Sequence, residues 1–139
     1  MQQVVFCSSL RDESDVAVAR RETRKLAEAQ GFSLGAVETL ATAVSEIARN
    51  VIVHAGTGEL VLGLASDRER VGVVVMARDD GPGISNVDEA MRDGFSTRAG
   101  LGLGLPSARR LVDDFELQSV PGHGTTVTLR KWMARTQRI

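Results

Sequence analysis

Tyrosine is absent from this sequence, tryptophan occurs once, and aromatic residues make up only 4% of it. The core must therefore be aliphatic, and the shortage of rings argues against a platform for stacking nucleic-acid bases. A single cysteine, Cys7, rules out a disulfide framework or a Cys-rich zinc site within one chain. It fits a reducing, cytoplasmic setting, and its place in a strand pattern reads as a packed core thiol. Neither sign of charge is in excess. Against 18 Asp and Glu stand 17 Lys and Arg, for a formal net charge of −1. Bulk electrostatics thus gives no pull towards nucleic acid or an anionic membrane. No apolar run approaches the roughly 18 residues of a membrane span. No basic segment followed by an apolar run marks a secretory signal. Repeats and low-complexity linkers are missing too. What is present is ordinary for a globular chain: 42% apolar and 25% charged among 139 residues. That fits one domain, 1–139, around one core, with no room for a second catalytic domain.

Hydrophobic periodicity divides the chain into elements. Val4 to Ser8 reads as a strand. Val16, Ala19, Thr23, Leu26 and Ala27 recur at helical spacing between Glu13 and Gln30, and Gly31 is a natural stop. A second helix is expected from Gly35 to Ala55. Glu59–Ala65 and Val71–Ala77 read as buried strands joined by a polar turn at Asp67–Arg70. A short helix is expected over Val87–Arg92 and another over Leu105–Asp113. Phe115–Val120 and Thr125–Lys131 read as a closing strand pair. This order implies an α+β fold, with helices on one face of a mixed, mostly antiparallel sheet.

Three segments carry chemical signals. On the second helix, Val37, Leu40, Val44, Ile47, Ala48 and Val51 form an apolar stripe. Glu46 and Asn50 lie nearly opposite it and, four residues apart, converge on one point. Small neighbours at Thr39 and Ala43 suit a cleft wall, and oxygen ligands suit Mg²⁺. An ordinary exposed surface remains the alternative. Asp79-Asp80-Gly81-Pro82-Gly83 follows a strong strand. A carboxylate there can accept from an exocyclic amine, and glycines let a flat ring approach the backbone. A plain turn is the alternative. Gly100-Leu101-Gly102-Leu103-Gly104 runs into a helix near Pro106, freeing N–H groups for phosphate. Here the alternative is a plain loop. A P-loop is excluded because no Gly-Lys-Ser/Thr follows, and a Rossmann fingerprint because no strand directly precedes the glycines. Gly31-Phe32-Ser33-Leu34-Gly35 has the hydrolase G-x-S-x-G pattern, but it lies between helices, where Ser33 serves as a cap or turn residue. His54 and His123 lack ligand spacing and read as surface or structural residues.

Taken in this order, the segments resemble the GHKL superfamily of gyrase, Hsp90-type chaperones, histidine kinases and MutL. Glu46-Ile-Ala-Arg-Asn50 is similar to its N box, Asp79-x-Gly81-x-Gly83 to its G1 box, and Gly100, Gly102 and Gly104 to its G2 box. Gly124-Thr125 is similar to its late Gly-Thr. The segments Asp93-Gly-Phe-Ser-Thr97, Gly100-Leu-Gly-x-Gly-Leu-Pro106 and Lys131-Trp132 resemble the RsbT-like switch kinases of bacterial stress signalling, with anti-sigma kinases as relatives. The resemblance implies the two-layer α/β sandwich of the Bergerat type. It implies ATP and Mg²⁺ as cofactors, Asn50 as the metal ligand and Glu46 as the general base. Asp79 would read the adenine amine with Thr125 assisting through water, and Gly81 and Gly83 would line the base site. Gly100, Leu101, Gly102, Leu103, Gly104 and Leu105 would wrap the phosphates, and Arg98 would reach the γ-phosphate. The implied partners are STAS-domain stressosome proteins (RsbS- or RsbR-like) as substrates and a metal-dependent serine phosphatase (RsbU-like) that the released kinase activates.

Three other functions compete. An anti-sigma kinase would bind a sigma factor. A nucleotide-responsive binding module would have no use for Glu46 as a base. An ATP hydrolase of the gyrase or MutL kind needs a further domain that this length does not hold.

Overall fold

The computed structural model describes residues 2–84, 91 and 105–135. Their order is β1 (Gln2–Leu10), α1 (Glu13–Gln30), α2 (Leu34–Ala55), β2 (Gly58–Ser66), β3 (Arg70–Asp79), α3 (Leu105–Arg110), β4 (Asp114–Val120) and β5 (Gly124–Ala134). The strands form one sheet in the order β1-β2-β3-β5-β4, and each described ladder is antiparallel. Two helices between β1 and β2 return the chain in the opposite direction, and the pairs β2–β3 and β4–β5 each follow one another directly among the described strands.

Local chemistry sets the helix ends. Asp12 caps α1, its side chain accepting from the backbone N–H groups of Ser14 and Asp15. Bonding to the Ser14 side chain, then to the Asp15 backbone, holds the Asp12 carboxyl below its ordinary pKa. A lowered carboxyl pKa means stability that is present above the unfolded value and lost as pH falls through the folded one. Ser33 caps α2 by accepting from Ala36 N–H, the role its sequence position suggested. Gly31 and Gly56 end the two helices. α3 ends at Arg110, three residues before the expected Asp113. Leu111 N–H donates to the Ala108 carbonyl, and Asp113 N–H already donates to Arg130 of β5, which draws the chain into the sheet. The helix expected over 87–92 lies outside the described residues except for Met91, which is in a turn.

One face of the sheet carries the core. Leu60, Leu62, Val73, Val75, Ala77, Val127 and Leu129 pack against Val16, Ala19, Val37, Leu40, Val44, Ile47 and Val51, all at most 3% exposed. Burying each Val, Leu or Ile side chain stabilises the fold by about 1.5–3 kcal/mol. Side chains alternate faces along a strand, so the partners of these positions point away from the helices. Cys7 is one of them. It pairs with Val61 and is exposed, not the packed core thiol its strand pattern suggested. The alternation of an edge strand, covered on one face only, decides this. Among the described residues no helix is long and apolar enough to cross a membrane.

Candidate functional site

The site has two ends. The first is built across three strands. Asp79, the last residue of β3, stands opposite Thr125 of β5, and Thr125 stands opposite Ser119 of β4. Residues directly opposite on antiparallel strands share a face, here the helix-covered face of Ala77 and Val127 two positions on. Thr125 is buried, and Asp79 is half-buried at the rim. Asp79 Oδ1 accepts from Gly81 N–H at 2.9 Å, which closes the turn and leaves Oδ2 without a partner among the described residues. Backbones crowd here. A Cβ on Gly124 would sit 2.1 Å from the Asp79 carbonyl oxygen, and one on Gly83 would sit 2.4 Å from that of Val120. Both glycines have positive φ, 103° and 76°. Gly124→Ala is therefore expected to lose at least the roughly 1–2 kcal/mol of the left-handed backbone penalty. A shift of the urea midpoint to lower concentration checks it.

The second end is on α2. Gly81 packs against Ala55 in the last turn of the helix, with space for no side chain between them. From that contact the helix runs back past His54, Asn50 and Glu46, four residues apart on one face. Asn50 is only 2% exposed and Ala43 is fully buried, so the ordinary exposed surface is excluded for this face. Asn50 Oδ1 and His54 Nε2 are both buried without a hydrogen-bond partner among the described residues. Burying a polar atom without a partner costs free energy, which makes these two atoms candidates to meet a ligand. A carboxamide oxygen suits a hard divalent cation, and an imidazole nitrogen suits a phosphate or its bound water. Glu46 is half-buried and makes no hydrogen bond or ion pair with a described residue. The neighbouring Arg49 pairs with Glu13 of α1 at 2.9 Å, and its positive charge also acts on Glu46 electrostatically without a direct ion pair.

The structure thus brings Glu46 and Asn50 together on α2, and Asp79, Gly81, Gly83 and Thr125 together at the sheet end. Leu105, fully buried, opens α3, which packs on α2. Arg98, Gly100, Leu101, Gly102, Leu103 and Gly104 lie outside the described residues. Two polar residues beside the site were given no role there by the sequence. His54 carries a signal in its i+4 spacing from Asn50. Ser119 carries none, since only strand pairing places it beside Thr125. A depression of about 640 Å³ shares Asp79, Gly81 and Ala55 with the site, but neither Glu46 nor Asn50 lines it.

Comparison with known proteins identifies the family. Residues 9–131 match the model of the histidine kinase-like ATPase domain. The chain is 41% identical over 127 residues to the serine/threonine-protein kinase RsbT of Bacillus subtilis (strain 168), covering 91% of this chain and 96% of that protein. It is 29% identical over 143 residues to an anti-sigma F factor of Caldanaerobacter subterraneus subsp. tengcongensis, covering 99% and 96%. It is 33% identical over 103 residues to an anti-sigma F factor of Bacillus thuringiensis (strain Al Hakam), covering 70% of each. With a matching domain model over most of its length and a kinase relative aligned almost end to end, the chain belongs to the histidine kinase-like ATPase domain family.

Proposed function

We propose that this chain is an RsbT-like switch kinase that uses Mg-ATP to phosphorylate serine or threonine on STAS-domain stressosome proteins in the cytoplasm. When released from them, it binds and activates a metal-dependent serine phosphatase. The observation that carries the nucleotide reading is Asn50, whose buried Oδ1 has no partner among the described residues. An oxygen so placed fits a Mg²⁺ ligand, and the ion, when bound, supplies charge neutralisation at the phosphates.

The chain's own residues divide the remaining work. Asp79 Oδ2 accepts from the base amine, and Thr125 lies beside it on the same face. His54 Nε2 faces the polyphosphate one helical turn from Asn50. Glu46 takes the proton of the incoming hydroxyl. As that oxygen bonds to the γ-phosphorus, the bond from phosphorus to the bridging oxygen breaks, and ADP leaves. At about 1.5 Å per residue, Glu46 lies roughly 14 Å along α2 from Ala55, where the helix meets the adenine turn. The base therefore stands at the end of the cleft remote from the adenine.

The test is transfer of label from γ-labelled ATP. A STAS partner should become labelled, and a variant of it with the accepting serine or threonine changed to alanine should not. Absence of label with all STAS partners would remove the substrate assignment. The similarity to anti-sigma F factors favours a second reading, in which the chain holds a sigma factor. Capture of a sigma subunit and not of a STAS protein, with both offered purified, would select it.

A further inference from the structure

We propose that Ser119 is a positioning residue that fixes the hydrogen-bonding sense of Thr125 and so selects a 6-aminopurine over a 6-oxopurine. The proposal rests on the ATP reading above and adds to it a determinant outside the motif residues. Three groups surround Ser119 Oγ. Ile84 N–H lies at 2.6 Å, the Gly124 carbonyl oxygen at 3.2 Å and Thr125 Oγ1 at 2.8 Å. A hydroxyl has one proton and two lone pairs. An amide N–H can only donate, and a carbonyl oxygen can only accept. Ser119 therefore accepts from Ile84 and gives its single proton to Gly124. One lone pair remains, and only a proton from Thr125 can fill it. All three contacts are satisfied in that arrangement alone.

The consequence lies at Thr125. Its proton is committed to Ser119, so its oxygen offers the cleft only lone pairs. Beside it, opposite in register, Asp79 Oδ2 also offers only lone pairs. Two adjacent acceptors on a largely buried wall match an amino group, directly or through a water that donates to them. They oppose a ring carbonyl, which would set acceptor against acceptor and leave buried groups unpaired. Backbone crowding keeps the wall in place. A side chain at Gly124 would collide with Asp79, and one at Gly83 with Val120. The same Ser119 oxygen also ties the segment after the turn, through Ile84, to β4. A purely structural staple is thus the competing role, and the test must separate the two.

The experiment is calorimetric titration with ATP and with inosine triphosphate, which differ at the 6-position, amine against carbonyl, and at the adjacent N1, acceptor against N–H donor. The proteins are the full chain, Ser119→Ala, Ser119→Thr, Thr125→Val and the Ser119→Ala/Thr125→Val double variant. Ser119→Ala releases the Thr125 proton, so the preference for ATP should fall about tenfold. Ser119→Thr, which keeps the hydroxyl, should restore it. Thr125→Val should lower the preference by itself, which keeps the test alive if Ser119→Ala folds poorly. In the Thr125→Val background Ser119→Ala should change the preference no further, since coupled residues do not add. A structural staple would instead weaken both nucleotides together and leave their ratio unchanged. That result, or additivity in the double variant, overturns the proposal. If the unmodified chain binds neither nucleotide, the ATP reading fails and the proposal falls with it, a result distinct from loss of selectivity alone.

Discussion

Asp79→Asn is expected to abolish tight ATP binding while leaving the fold intact. The substitution keeps the oxygen that accepts from Gly81 N–H, so the turn after β3 retains its closing bond. It replaces the other oxygen by an NH₂ group. Where the carboxylate would accept from the adenine amine, a donor then faces a donor. Losing a charge-assisted bond to a partly buried group costs on the order of 2–4 kcal/mol, a loss of about thirtyfold to a thousandfold in affinity. Calorimetry measures it, with thermal melting without nucleotide as the control for the fold. Unchanged affinity would remove Asp79 from the adenine site. A collapsed melting transition would show that the carboxylate serves the turn and not the ligand.

Glu46→Gln should bind Mg-ATP nearly as well as the parent chain and lose phosphotransfer. A serine hydroxyl is a poor nucleophile, and a positioned base typically contributes about 10²–10⁴-fold. Glutamine keeps the shape but takes no proton. Asn50→Ala, one turn away on the same face, should behave differently. It removes an oxygen suited to the metal, so both transfer and Mg²⁺-dependent affinity should fall. It also removes a buried acceptor that has no partner among the described residues. Loss of that oxygen itself should cost the fold nothing, so any fall in stability without nucleotide reports the packing of the rest of the side chain. If Glu46→Gln transfers phosphate at the parent rate, Glu46 is not the base. If both variants lose binding and transfer alike, the division of labour along α2 is wrong.

The first two helices were legible because their signals are local. The apolar stripe of α2, the Ser33 cap and the stops at Gly31 and Gly56 all lie within a few residues of what they determine. Strand positions were legible for the same reason, to within one or two residues at most ends. Strand order was not, because it depends on pairings between segments far apart in the chain. That is why Ser119 was invisible: its importance comes from lying opposite Thr125 across a hairpin. Cys7 was misread because an apolar-looking strand does not disclose whether both of its faces will be covered. For Glu46, Asn50 and Asp79 the residue pattern raised candidates, and the family resemblance supplied their expected roles. Burial, which the sequence does not reveal, was needed to choose between a cleft wall and an ordinary surface at Asn50. Arg98 and the glycines 100, 102 and 104 stay with the sequence reading, outside the described residues.

The two ends of the site belong to different layers of the fold, α2 on one side and the ends of β3, β4 and β5 on the other. A nucleotide bound across them would act as a non-covalent brace between the helix layer and the sheet. Separating the layers would then require releasing the ligand, which links folding to ligand supply by mass action. At a hundred times the dissociation constant, that linkage adds about 2.7 kcal/mol to the stability of a folded chain. This is a sizeable addition for domains whose whole stability is typically about 5–15 kcal/mol. The lifetime of this protein against unfolding and proteolysis would then rise and fall with the nucleotide pool that it consumes.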